Sequence, residues 1–178
     1  FEIKMREQAF PKDFAVLYRT NAQSRSLEEA LRKQNIPYKI YGGLSFYQRK
    51  EIKDILAYCR LTINPNDEEA LKRVINYPTR GIGNTTLQKL IVTANSEKIS
   101  IWEVLNNLDG YKHNINNGSC KKLDEFTTLI KSFISQKDNR DAYVLTEHIA
   151  KTSGVFHDLY NDKSPEGVSR FENIQELL

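Results

Sequence analysis

Long apolar runs are missing from this sequence. No stretch reaches membrane-spanning length, and the amino-terminal FEIKMREQAF lacks a signal-peptide pattern. Cysteine is scarce too: Cys59 and Cys120 lie far apart, which argues against a disulfide framework or a CxxC metal site and fits a reducing, cytoplasmic setting. His113, His148 and His157 share no ligand spacing, so no metal site is expected. GxxxxGK followed by Ser or Thr occurs nowhere, which excludes a nucleotide P-loop within these 178 residues. NDEEAL contains acids but follows no apolar strand, so it is no Walker B element. Internal repeats and low-complexity segments are also absent.

What is present belongs to an ordinary folded chain. Hydrophobic residues make up 39% and charged residues 28%, which argues against disorder. The net charge of +3 is unevenly spread, since residues 1 to 60 hold 12 Lys and Arg against 7 Asp and Glu. A basic amino-terminal third suits a polyanionic partner; a solvated charged face gives the same bias. The chain starts without an initiator Met and stops at ENIQELL, inside an amphipathic pattern, so a fragment of something larger is expected.

The order of patterns predicts an α/β start and an all-α remainder. FAVLY, Phe14 to Tyr18, reads as a buried strand and PYKIY as a second. Between them Leu27, Ala30 and Leu31 mark one helical face, with Glu28 and Glu29 early and Arg32 and Lys33 late, matching the helix dipole. Strand, helix and strand within about thirty residues predict a βαβ unit with parallel strands, ended by Gly42 and Gly43. Ser45 with Gln48 predicts a capping box, followed by an apolar face of Ile52, Ile55, Leu56 and Cys59. Beyond Pro65 only helices are expected. Their caps are Asn66 with Glu69, Ser100 with Glu103, and Ser169 with Glu172, and Leu123, Phe126, Ile130 and Phe133 line the longest. DGYKHNINNGS, 109 to 119, is the clearest linker and divides the chain into 1–110 and 111–178.

One stretch carries more chemistry than the rest. In NYPTRGIGNTTLQKL, 76 to 90, Gly81 and Gly83 flank Ile82 between two helices, the layout of a helix-hairpin-helix element. Glycine at 81 and 83 allows positive φ and close approach of a ligand, with Ile82 tucked between the helices. Unpaired N–H groups at a helix start favour a phosphate, and Arg80, Thr85 and Thr86 are placed to add contacts. A tight connection between packed helices uses the same glycines. Tyr18 and Arg19, at the carboxyl end of the predicted strand, stand where α/β sheets bind ligands; a strand-end tyrosine also serves as a core edge. Arg49 and Lys50, beside Phe46 and Tyr47, read either as a base-stacking, phosphate-gripping cluster or as a staple at a helix start. Trp102 and Cys59 read as core.

FAVLYRTNAQSRSLEEAL, NIPYKIYGGLSFYQRKEIKDILAYCRL and NYPTRGIGNTTL together resemble the superfamily 1 DNA helicases of the UvrD, PcrA and Rep type, closely over residues 13 to 105 and more loosely through SGVFHDLY and SRFENIQELL. The first segment is similar to their motif IV. The resemblance implies an ATP-dependent 3′ to 5′ DNA helicase acting in repair or replication. In such enzymes the motif IV tyrosine, here Tyr18, stacks near the adenine and its neighbour, here Arg19, meets the γ-phosphate. It further implies that residues 1–110 are part of the second RecA-like domain, called 2A, and 111–178 the start of the helical 2B insert. The turn of Arg80, Gly81, Ile82, Gly83, Thr85 and Thr86 would face DNA, with a second duplex contact near Gly154, where Val155, Phe156 and His157 depart from the Arg and Thr of relatives. Single-stranded and duplex DNA, the other helicase domains and repair proteins are the partners this implies; ATP and Mg2+ are the cofactors, with the metal ligands and Walker A lysine outside this chain. A non-catalytic DNA-binding or partner-binding module is the alternative reading, and a helical scaffold a third.

Overall fold

The computed structural model describes residues 10–19, 23–41, 45–111 and 114–178. Gly42, Gly43 and His113, named above, lie outside the described residues. Among the described residues nine α-helices follow one another: α1 Ser24–Lys33, α2 Lys50–Ile63, α3 Glu68–Val74, α4 Asn84–Glu97, α5 Ile101–Asn106, α6 Asn117–Ile134, α7 Ala142–Thr152, α8 Val155–Asn161 and α9 Pro165–Leu177. Short 3-10 turns occupy Pro11–Asp13, Phe46–Gln48 and Leu108–Gly110.

No strand forms among the described residues, so the expected βαβ unit is not shown there. The reason is pairing: a strand exists through hydrogen bonds to a neighbour, and FAVLY meets no such partner among the described residues. Its apolar side chains are accordingly open, with Val16 61% and Leu17 95% exposed. Only the predominantly helical character of the predicted fold class stands.

Helix α2 organises the remainder. It packs against α3, α6, α7 and α9, while α4 pairs with α5 and α8 with α9. Ile52, Ile55, Tyr58 and Leu61 on α2 are fully buried and meet Leu71 and Val74 from α3, Phe126, Ile130 and Phe133 from α6, and Ile174 from α9 in one cluster. Each such side chain contributes about 1.5–3 kcal/mol by leaving water. Tyr58 and Phe133 meet edge to face with centroids 6.4 Å apart. The cluster includes residues on both sides of residue 110.

Cap chemistry explains most helix starts. Ser100 and Glu103 form the reciprocal capping box that opens α5, as the spacing predicts. At α3 the cap shifts by one residue: Asp67 accepts from the Ala70 N–H at 3.0 Å, and it also holds Arg60 at 2.8 Å. Ser45 spends its hydroxyl on Glu28 instead of on a cap, so α2 starts from Arg49 without one. Ser164, followed by Pro165, caps α9, which leaves Ser169 inside that helix. Asn116 caps α6, so the helix claims the last residues of the predicted linker.

Candidate nucleic-acid interface

The stretch from Asn76 to Asn84 leaves α3 and enters α4 through a loop stabilised from within. The Asn76 Oδ1 accepts two backbone N–H groups, from Arg80 at 2.9 Å and Ile82 at 3.0 Å, and so closes the turn with a side chain. Ile82 is 2% exposed and belongs to the core, while Gly81 and Gly83 stay at the surface. Only Gly81 uses glycine's freedom, at φ +72°. Gly83 has φ −77° and ψ 166°, ordinary extended backbone, so the expectation of positive φ at both glycines is corrected. As the residue preceding α4, Gly83 offers no side-chain cap to the helix; the Thr86 and Leu87 N–H groups return to its carbonyl at 3.0 and 3.1 Å. Thr85 is exposed and Thr86 half-buried.

Arg80 works beneath this surface. Its Nη1 donates to the carbonyls of Tyr77 at 2.8 Å, Val74 at 3.2 Å and Pro78 at 3.2 Å. Its Nη2 donates to the Tyr58 hydroxyl at 2.7 Å and to the Ser153 carbonyl at 2.9 Å. The guanidinium also lies over the rings of Tyr58 and Phe126, 5.8 and 5.6 Å from their centroids. Both terminal nitrogens are therefore spent on the protein, and a phosphate would have to displace these bonds. The Tyr58 hydroxyl in turn donates to the Tyr77 carbonyl. Burial pushes the Tyr58 phenol up to about 12 despite the opposing pull of Arg80, and burial first, then the Asp54 and Asp158 carboxylates, raise Tyr77 as well.

Through Arg80 the first glycine turn meets a second. Ser153 ends α7 and Gly154, at φ +87°, opens α8. A Cβ built on Gly154 would lie 3.7 Å from the Pro78 γ-carbon, so the two turns touch although about seventy residues separate them. Val155 is fully buried, whereas Phe156 is half-buried and His157 exposed. The fold thus brings Gly81, Ile82, Gly83, Thr85, Thr86 and Gly154 to one region of the molecule. Periodicity does not reveal Lys122 on α6, whose Nζ lies 3.4 Å from the Gly81 carbonyl and adds a cation in front of the turn.

The other predicted residues lie elsewhere. Arg19 is exposed and Tyr18 half-buried; the Arg19 N–H donates to the Gln23 Oε1 at 3.0 Å. Lys50 is exposed, 5.4 Å from the Tyr77 ring centroid. Arg49, read beside it as a phosphate grip, turns inward: it is 7% exposed, donating to Asn173 Oδ1 at 2.7 Å and Ser24 Oγ at 2.9 Å, and lying 5.4 Å from the Phe46 ring centroid. Burial lowers its pKa, partly offset by Glu51, Tyr18 and Glu28. The alternation of aromatic and basic residues in SFYQRK cannot tell an outward guanidinium from an inward one. Among the described residues no group of His, Cys, Asp or Glu is arranged to hold a metal ion, and no helix is long and apolar enough to cross a membrane.

Comparison with known proteins matches residues 2–178 to the UvrD-like helicase C-terminal domain. The chain belongs to this family. It is 40% identical over 164 residues to DNA helicase II of Escherichia coli, covering 92% of this chain and 23% of that protein. DNA helicase II of Salmonella typhimurium gives the same identity and coverage. ATP-dependent DNA helicase PcrA of Bacillus subtilis is 41% identical over 166 residues, covering 93% of this chain and 22% of that protein. The chain therefore spans less than a quarter of the length of these relatives.

Proposed function

We propose that this chain is one part of an ATP-dependent DNA helicase that moves 3′ to 5′ and separates duplex DNA in repair or replication. Tyr18 and Arg19 belong to its nucleotide site, and the two glycine turns to its DNA path. The observation that carries this reading is the family match along nearly the whole chain, joined to an arginine at the motif IV position that stands at the surface. An exposed guanidinium beside a half-buried phenol fits a nucleotide, one group suited to phosphate and the other to a base.

When bound, ATP supplies the bond whose hydrolysis drives movement, and Mg2+ offsets phosphate charge; the metal's ligands belong to other segments of the parent protein. Within this chain Arg19 has one task, to hold positive charge where negative charge grows on the transferred phosphoryl group. Tyr18 orients the nucleotide by stacking. At the DNA side the backbone of Gly81 and Gly83, with Thr85 and Thr86, meets phosphate oxygens, assisted by Lys122, while Ile82 and Arg80 hold that backbone from below. The other helicase domains and repair proteins are the partners this function calls for, and the cytoplasm is its place.

The test is Arg19→Ala in the full-length protein. Turnover of ATP should fall by about 10³ or more with DNA affinity nearly unchanged; a variant that still hydrolyses ATP at the parent's rate would overturn the assignment.

A further inference from the structure

Arg49 is a buried cation without a carboxylate within ion-pair reach among the described residues. Such a group is a poor way to gain stability, because an apolar side chain of similar volume avoids the desolvation cost. Its partners give it another meaning. One is Ser24, the first residue of α1, and the other is Asn173 on α9, 124 residues along the chain. Asn173 is itself 3% exposed, and its amide donates to the buried Glu51 Oε1 at 2.6 Å, so its orientation is fixed from both ends.

On the α1 side, Ser24 follows Gln23, whose side chain accepts the Arg19 N–H at 3.0 Å. Ser24 and Glu28 form a buried polar face of α1; Glu28 accepts the Phe46 N–H at 2.9 Å and the Ser45 hydroxyl. The segment bearing Arg19 is thus tied to the start of α2 by polar bonds. On the α9 side, α9 packs on α8, and α8 starts at Gly154 against Pro78 of the first glycine turn. A continuous set of contacts therefore runs from the glycine turns through α8 and α9 to Asn173, and from there through Arg49, Ser24 and Gln23 to Arg19.

We propose that Arg49, gripped between Ser24 and Asn173, is a positioning residue through which DNA at the glycine turns sets the placement of Arg19. The proposal rests on the helicase reading above. Its physical content is the buried pair of hydrogen bonds from Arg49 to Asn173 and Ser24, continued at the surface by the bond between Gln23 and Arg19, so that a shift of α9 is passed to α1. The fork of an arginine suits this task, since its two terminal nitrogens hold two partners at a fixed spacing, which a lysine ammonium does not do.

The experiment uses the full-length helicase and compares ATP turnover with and without a single-stranded oligonucleotide. Ser24→Ala and Asn173→Ala should each reduce DNA-stimulated turnover by about 5- to 10-fold, while unstimulated turnover and oligonucleotide affinity stay within about twofold. Because both cut the same route, the double variant should be no worse than the more severe single one. Arg49→Lys, which keeps the charge and loses the fork, should behave like them. Unchanged stimulation, or losses that multiply and follow a fall in oligonucleotide affinity or Tm, would overturn the relay. If Asn173→Ala does not fold, Ser24→Ala and Arg49→Lys decide the matter alone. Arg19→Ala serves as the control: if that variant keeps its turnover, the helicase reading itself has failed, whereas its loss together with intact stimulation in Ser24→Ala removes only the relay.

Discussion

The stretch from Phe10 to Arg49 and the helical stretch from Lys50 onward are held by different forces. In the first, burial is mostly polar: Ser24, Glu28 and Arg49 are inside together with Phe46, while Phe14, Val16, Leu17 and Tyr41 are exposed. In the second, the interior is mainly apolar, with Tyr58, Phe126, Phe133 and their neighbours closed on one another and polar groups such as Glu51, Asp54 and Asn173 buried beside them. The contrast shows what each stretch needs. A helical core is complete once its faces meet, whereas an apolar segment with no strand partner keeps its greasy side chains in water and depends on directed bonds to a few buried polar groups.

The largest effect that tests this comparison comes from truncating one side chain on each side of it. Phe133→Ala should destabilise the chain by about 3–5 kcal/mol, because it empties a fully buried site against Tyr58 and His148. Leu17→Ser should leave the unfolding free energy measured in urea within about 0.5 kcal/mol of the parent chain. A loss of comparable size at Leu17 would show that the amino-terminal stretch has an apolar core of its own.

Next comes the alkaline limb of stability, which the helical stretch should dominate. The Tyr58 pKa lies at about 12 in the folded chain against 10.0 in the open one, so its contribution is intact below pH 10 and disappears as pH climbs toward 12. Two units amount to about 2–3 kcal/mol. Tyr77 is raised as well and has the same sign. Urea midpoints measured across this window should fall for the parent and fall less steeply for Tyr58→Phe; equal slopes would remove the buried phenol as the cause.

The smallest effect separates the two glycines of the turn. Gly81→Ala should cost about 1 kcal/mol, since its φ of +72° lies in the left-handed region. Gly83→Ala should stay within about 0.5 kcal/mol, because its φ is −77° and a Cβ there meets nothing within 4 Å. Thermal melts of the two variants decide between them, and equal shifts would contradict the asymmetry.

How much of this could be read from residues alone follows from the same contrast. The apolar positions of α6, Leu123, Phe126, Ile130 and Phe133, are all buried as their spacing predicts, because one face of a helix is a local property. The Ser100 and Glu103 box formed for the same reason, its partners lying three residues apart. On α1 the spacing marks Leu27, Ala30 and Leu31, yet the buried positions are Ser24 and Glu28. Their partners, Phe46 and Arg49, come from beyond the helix, and no local pattern announces them. The strands are not seen among the described residues, and pairing, unlike a helical face, belongs to two segments at once. At the glycine turns the residues were legible, but the inward course of Arg80 was not. A guanidinium beside two glycines looks the same in sequence whether its acceptors are phosphates or carbonyls.

Besides the Tyr58 hydroxyl, Arg80 draws its acceptors from two places that the chain visits far apart, Val74 to Pro78 and then Ser153. The two are therefore one cooperative unit. Neither can melt while the other keeps all of its bonds, and the backbone amides around both should exchange with solvent at a common rate, as if they were neighbours in sequence.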